Sequence, residues 1–314
     1  MDPLAWIIFI ALIGSFLALD LGVFHRQAHV VAPREALRWT AVWVGLALAF
    51  GAFIIGSRGA EAGITWFTGY LIEYSLSVDN VFVFALVFGA FAVPARYQHR
   101  VLFWGVLGAL VMRFVLILLG ASLIARYDWI LLVFGAFLVL TGLRLARGGG
   151  EAAGQPEDSP VVRFARRHMR TTAEFHGQRF VVRTAAGRLA TPLLLALIAL
   201  EASDLIFAVD SIPAIFGLTT DPFIVFSSNA FAILGLRSLY FLLADARHRF
   251  RYLPLGLAGV LVFVGVKMLV GGFVDLPPLV SLVVIAAILG AAVGASLHRD
   301  GGSGPQARPV TDLP

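Results

Sequence analysis

Nine apolar runs, each close to the length that crosses a bilayer, recur along the chain at residues 4–24, 40–56, 64–88, 101–125, 129–146, 191–216, 223–243, 254–274 and 279–297. A hydrocarbon core of about 30 Å needs about 20 residues of helix, and no backbone amide can be left unpaired in lipid, so each run is expected to be a transmembrane helix. Of the 314 residues, 59% are hydrophobic and only 14% charged, with a mean hydropathy of +0.89, which a soluble domain cannot sustain. The expected class is an all-α polytopic membrane protein. No Lys or Arg precedes the first run and no small-residue cleavage site follows it, so it reads as a retained helix. With no cysteine, neither disulfides nor thiolate metal sites can form.

The net charge of +5 does not point to nucleic acid, because the arginines alternate between loops. Loops after the first, third, fifth and seventh runs hold Arg26, Arg34 and Arg38; Arg96 and Arg100; Arg147 through Arg188; and Arg247, Arg249 and Arg251. Those after the second, fourth, sixth and eighth hold only Arg58 with Glu61, Arg126 with Asp128, Asp221, and Asp275. Positive loops stay in the cytoplasm, which places the N-terminus outside and the C-terminus inside a bacterial plasma membrane. The 147–190 loop is the one sizeable aqueous region. "RGGGEAAGQPEDSP" reads as a flexible linker and "VVRFARRHMRTTAEF" as a short basic amphipathic helix at the anionic inner leaflet, a site for membrane or cytoplasmic partners. The bland alternative is a solvated linker that only fixes topology. Residues 298–314 read as a disordered cytoplasmic tail.

Two stretches repeat. "EYSLSVDNVFVF" (73–84) aligns with "DLIFAVDSIPAI" (204–215), matching Glu73 to Asp204 and Asp79-Asn80 to Asp210-Ser211. The next helices match "GALVMR", ending at Arg113, to "AILGLR", ending at Arg237, and the third pair matches 135–144 to 258–267. Arg113 to Arg144 spans 31 residues and Arg237 to Lys267 spans 30. Units of three helices must enter the membrane from opposite sides, giving a 3+3 inverted repeat, the architecture of many secondary transporters. The chain then divides into accessory helices (1–56), a first unit (64–146), the cytoplasmic linker (147–190), a second unit (191–275) and a ninth helix (279–297).

An ionised side chain at mid-membrane costs roughly 3 kcal/mol, so Glu73, Asp79, Glu201, Asp204 and Asp210 facing lipid would together cost on the order of 15 kcal/mol. They are expected to face inward, with Arg113 and Arg237 as charge partners and Lys267 within possible reach. Cations or protons must supply the remaining positive charge. Burial favours the neutral form of a carboxylate, so protons are expected on Glu73, Asp79, Asp204 or Asp210 when no metal is bound, to be displaced by it. A purely structural ion-pair network is the alternative. Glu201 has no acidic counterpart in the first unit, and Asp20, His25 and His29 read as interfacial. Six residues turn a helix through about 600°, leaving Glu73 and Asp79 about 120° apart, so one straight helix cannot aim both at one ion. Either the helices unwind at "SVDN" and "AVDS", which Pro213 favours, or each ion is held by one acid from each unit. Thr191 is a candidate cap and Pro192 a first helical residue.

The oxygen donors, carboxylates with Asn80 and the hydroxyls of Ser77, Ser203 and Ser211, suit Mn²⁺, Ca²⁺ or Mg²⁺ rather than Zn²⁺ or Cu⁺. "EYSLSVDNVFVF", "EASDLIFAVDSIPAI" and "LDLGVFHR...REALRWTAVWVGLALAFG" resemble the TerC/Alx family of bacterial integral membrane proteins over about residues 10–275. The resemblance implies Mn²⁺ export, a lysine-exporter-like three-plus-three architecture and a link to tellurite resistance. It carries metal-binding roles onto Glu73, Asp79, Asn80, Glu201, Asp204, Asp210 and Ser211. The expected partners are the lipid bilayer, a divalent ion and protons, with no permanently bound cofactor and no nucleic acid. No nucleophile and base pair, nucleotide loop or cofactor signature suggests an enzyme. Two rivals remain: a non-transporting scaffold of a metal- or tellurite-stress complex acting through 147–190, and an amino-acid exporter, for which the surplus negative charge is unsuited.

Overall fold

The computed structural model describes residues 3–19, 32–127, 129–147, 159–184, 187–243, 252–271, 273 and 276–300. Asp20, Arg26, His25, His29, Asp128, Arg247, Arg249, Arg251, Asp275, the linker 148–158 and the tail 301–314 lie outside the described residues. In chain order the elements are α1 (Pro3–Leu19), α2 (Pro33–Arg58), α3 (Ala60–Ala90), α4 (Ala95–Arg126), α5 (Ile130–Ala146), α6 (Pro160–His168), β1 (Val181–Thr184), β2 (Gly187–Ala190), α7 (Pro192–Phe216), α8 (Pro222–Leu243), α9 (Leu253–Val270) and α10 (Pro278–Asp300).

Among the described residues seven helices, α2, α3, α4, α7, α8, α9 and α10, are long and apolar enough to cross a membrane. The first and fifth runs form α1 and α5, apolar but only 17 residues each. Several helices outrun the apolar stretches that announced them. Helix α2 starts at Pro33 rather than 40, and α4 at Ala95 rather than 101, because their first turns carry Arg34, Glu35 and Arg38, or Arg96, His99 and Arg100. Hydropathy registers only the part of a helix that suits lipid, whereas the backbone continues into the polar boundary. The last helix similarly runs to Asp300, three residues into the expected tail. Gly59, at φ +92°, is the single residue joining α2 to α3. A side chain there would strain the backbone, so glycine fixes this abrupt hairpin.

Helix α8 is the hub. Every residue from Phe223 to Tyr240 is buried, with α2, α3 and α4 packed around it. It runs parallel to α3, since Trp66 Nε1 donates to Ser227 Oγ at 3.0 Å while Tyr74 lies beside Gly235. Helix α4 runs parallel to α7, with Gly108 against Glu201 and Gly120 against Phe216. Helices α5 and α9 are antiparallel and cross in backbone contact: a Cβ at Gly265 would lie 2.7 Å from the Gly135 carbonyl oxygen, and one at Gly142 would lie 2.8 Å from that of Ala258. Helix α10 covers α3 and α9.

The two ends of the bundle differ. At one, Trp6, Phe9, Phe50, Phe114, Phe226 and Phe231 make a continuous aromatic cluster with ring centroids 4.8–6.2 Å apart. Arg58 closes that end, pairing with Asp221 at 2.9 Å and lying over Phe223. At the other, residues 159–191 form a folded cap. Ser159 caps α6, and the antiparallel ribbon β1–β2 follows. Val162 and Ala165 of α6 are buried with Phe88, Phe91 and Val93, while Val161 and Phe164 of the same helix stay exposed. The expected short basic helix is present as α6, held against the bundle because nine residues alone do not sustain a helix. Thr191 does occupy the N-cap position of α7, with Pro192 next, but its hydroxyl donates to the carbonyls of Arg179 and Phe180, tying the cap to the helix.

Candidate functional site

Both acidic motifs lie on unbroken helices. Helix α3 passes through "SVDN" without interruption, and α7 continues past Pro213 to Phe216, so of the two alternatives, unwinding at the motifs or one acid from each unit, the unwinding does not occur. Pro213 removes one amide donor within the last turn of α7, where the helix is ending anyway. On straight helices the angular argument holds. Glu73 is fully buried, while Asp79, six residues on, is only partly buried; Asp204 is 3% exposed and Asp210 again partly buried. The first acid of each motif points into the bundle and the second points elsewhere.

Glu73 and Asp204 meet on Arg113. This arginine, in the middle of α4, is fully buried. Its Nε donates to Asp204 Oδ2 at 3.2 Å and its Nη2 to Asp204 Oδ1 at 2.9 Å, the forked pairing that a planar guanidinium offers a carboxylate. Its Nη1 donates to Glu73 Oε1 and, at 3.1 Å, to Ser211 Oγ. Three helices thus converge through one side chain. Glu73 Oε2 is buried with no hydrogen-bond partner in the protein. Two carboxylates share one guanidinium, so with both ionised the triad holds one surplus negative charge away from water. Such a charge is strongly unfavourable unless a proton or cation joins it.

The remaining expected residues fall around this triad rather than in it. Glu201 precedes Asp204 by one turn, is partly buried, and lays its carboxylate against Gly108 of α4, where a Cβ would collide with it. Asn80 and Ser77 are buried on the Glu73 face of α3, each with a side-chain oxygen that has no partner. Ser203 donates to the Ala199 carbonyl in its own helix at 2.9 Å. Arg237 is buried but lines a separate small cavity with Leu17, Trp43, Phe103, Val106 and Leu234. Lys267 donates to Ser281 of α10 at 3.0 Å. Among the described residues no three His, Asp or Glu side chains gather as a metal cage. A hard divalent ion takes six or more oxygens, whereas the two carboxylates gathered here are already engaged by Arg113.

Sequence reasoning passed over Gly108, Asn229 and the cap. Asn229 of α8 is fully buried with neither amide atom paired, and an Asn inside an otherwise apolar run was the available signal. Gly108 carries no such signal, since its role is to leave room for a side chain of another helix.

The chain matches the family described as "Integral membrane protein TerC family" over residues 58–300. It is 55% identical over 296 residues to the membrane protein STKORF319 of Myxococcus xanthus, covering 94% of this chain and 92% of that one. It is 48% identical over 296 residues to Alx of Escherichia coli (strain K12), provisionally named a membrane-bound redox modulator, covering 91% of this chain and 92% of that one. A membrane protein of Rickettsia felis is 36% identical over 296 residues, covering 94% of this chain and 98% of that one. No solved structure matches.

Proposed function

The chain belongs to the TerC family of integral membrane proteins, and on that premise we propose that it exports a divalent metal cation, Mn²⁺, across the bacterial inner membrane in exchange for protons. The observation that carries the reading is the convergence of Glu73 and Asp204, the matched first acids of two separate motifs, on the single buried Arg113. A structural ion pair needs one acid. Two acids with an unpaired buried oxygen on Glu73 make a site that must hold either its tethered arginine plus a proton, or a cation from solution. Arg113 then acts as an internal cation that Mn²⁺ displaces.

The inverted 3+3 repeat belongs to the same proposal and draws support from reciprocal contacts. Aligning 135–144 with 258–267 makes Gly135 equivalent to Ala258 and Gly142 to Gly265. The observed contacts, Gly135 with Gly265 and Gly142 with Ala258, exchange into each other under that swap. The parallel pairs α3 with α8 and α4 with α7 exchange likewise. In this reading α1 and α5 also cross the bilayer, α5 by packing along its length against α9. The cap end, bearing Arg96, Arg100 and the arginines of 159–191, is cytoplasmic, and the Arg58–Asp221 end lies outside.

The test is cellular metal content. Cells lacking the protein should accumulate Mn²⁺, the intact chain should restore the lower level, and Asp204→Asn should insert normally without restoring it. Unchanged Mn²⁺ in all three would remove the transport reading. The scaffold alternative gains from one observation, that the cytoplasmic loop folds into a cap with exposed arginines. It predicts that charge reversal on α6 abolishes function while Asp204→Asn is tolerated. The redox role named for Alx could not act here through thiols, as the chain has no cysteine.

A further inference from the structure

The face of α3 that carries Glu73 continues toward the cap end as Ser77, Asn80 and Phe84. Intervals of four, three and four residues keep these side chains in one stripe. Ser77 and Asn80 are 0% and 1% exposed, and Glu73 Oε2, Ser77 Oγ and Asn80 Oδ1 all lack a hydrogen-bond partner within the protein. Three orphaned oxygens on successive turns of one buried face run against the rule that buried polar atoms are paired. Successive Cβ atoms on such a stripe stand about 5–6 Å apart, and buried oxygens left unpaired by protein groups are the ones that ordered water characteristically bridges.

A second feature lies beside the stripe. On the cap side of Asp204 the helices leave a cavity lined by Phe84 of α3, Leu102 and Gly105 of α4, Leu200 and Asp204 of α7, and Leu236 of α8. It has room for about one water molecule. Phe84 ends the stripe and also lines the cavity, and beyond it stand Phe88 and Phe91, packed against the cap. The opposite end is built differently among the described residues. There the aromatic cluster closes over Trp66 and Phe226, and although Asn229 is also unpaired, Phe226, Ala230, Phe231 and Ile233 of its own helix belong to that apolar cluster.

We propose that Ser77 and Asn80 line the water-filled route by which the cap side of the membrane reaches Glu73 and Asp204, with Phe84 as its constriction. The proposal rests on the transport reading only in taking the triad as the destination; the route itself does not depend on which ion travels. It assigns Ser77 and Asn80 to hydration of the path, with direct ligation left to the carboxylates.

The absence of native cysteine makes the test direct. In the full chain, Ser77→Cys, Asn80→Cys and Asn229→Cys are made singly, with Ala173→Cys in the exposed cap marking sidedness. Vesicles are treated from either side with a small, cationic, membrane-impermeant methanethiosulfonate. The cysteines at 77 and 80 should react from the same side as the one at 173, the one at 229 should not react from that side, and Phe84→Ala should speed reaction at 77 several-fold. Failure of 77 and 80 to react from the cap side, even with Phe84→Ala and while 173 is fully modified, would overturn the route, as would reaction from the opposite side. Labelling reads access and not flux. A chain that moves no Mn²⁺ could therefore still show the route, and an inaccessible stripe would leave the transport reading to its own test.

Discussion

Arg113 is the residue the fold can least spare. Removing it leaves Glu73 and Asp204 facing each other in a buried space, and stripping one partner from a buried pair typically costs about 3–5 kcal/mol. Removing one acid instead leaves a balanced pair. Arg113→Leu is therefore expected to insert poorly and to lower the melting temperature in detergent, whereas Glu73→Gln and Asp204→Asn should hold or raise it. Equal losses from all three would mean that charge balance does not govern the triad. Asp79→Asn and Asp210→Asn should abolish Mn²⁺ efflux with insertion intact, and normal efflux in both would return these outer acids to a structural role. Gly108→Ala is a subtler case: its methyl would displace the flexible end of Glu201 at little cost in stability, so altered flux at normal yield would tie Glu201 to the pathway. At this scale the acids were legible because carboxylates in apolar runs are expensive and the motif is repeated. The division of labour among them was not. Which acid faces inward depends on helix rotation, and the choice of Arg113 over Arg237 depends on packing that a pairwise alignment treats as equivalent.

Helices announce themselves through apolar length, and every apolar run in the sequence corresponds to a helix. Their ends and the cap were less legible, for a common physical reason: both are held by contacts distant in sequence. The α6 helix is too short to persist alone and is fixed by Val162 and Ala165 in the bundle, while the Arg100 side chain, donating to Gln178 at 3.1 Å and lying over Phe180, pins the segment beyond it. The unwinding at "AVDS" that Pro213 favoured, one of two alternatives, does not occur because a proline in the last turn has little ladder left to disrupt. The α5–α9 crossing yields a prediction at this scale. Gly142 and Gly265 each face a backbone carbonyl that cannot swing aside as a side chain would. Gly265→Val should force the helices apart and destabilise the protein by about 1–3 kcal/mol, the usual penalty of overpacking. An unchanged melting temperature would show that the pair separates freely and does not form a rigid frame.

For the whole molecule, the arrangement of charge makes two linked predictions. Reporter fusions at residues 170 and 220 should report opposite sides of the membrane, with 170 in the cytoplasm; finding both on one side would dismantle the inverted repeat and with it the pairing of Glu73 with Asp204 as equivalents. Given that topology, the surplus charge decides what must move. With Arg113 held between two carboxylates, the site carries one negative charge too many, and burying it unneutralised is prohibitive. Under the export proposal the resting triad is expected to hold a proton. A divalent ion needs both carboxylates ionised, so its entry expels that proton, and the return of the carrier requires a proton to be regained. On that proposal binding of metal and proton is mutually exclusive, and the expected outcome is that the two travel in opposite directions, with an inward proton gradient driving Mn²⁺ outward. Alkalinity outside should weaken export unless membrane potential contributes. Reconstituted vesicles with a pH dye inside and Mn²⁺ supplied on one side should show proton movement opposite to metal, and Glu73→Gln, which removes the surplus charge, should uncouple the two or stop both. Metal flux with no proton counterflow, unaltered when the pH gradient is collapsed, would mean that another cation neutralises the triad, and antiport would have to be abandoned.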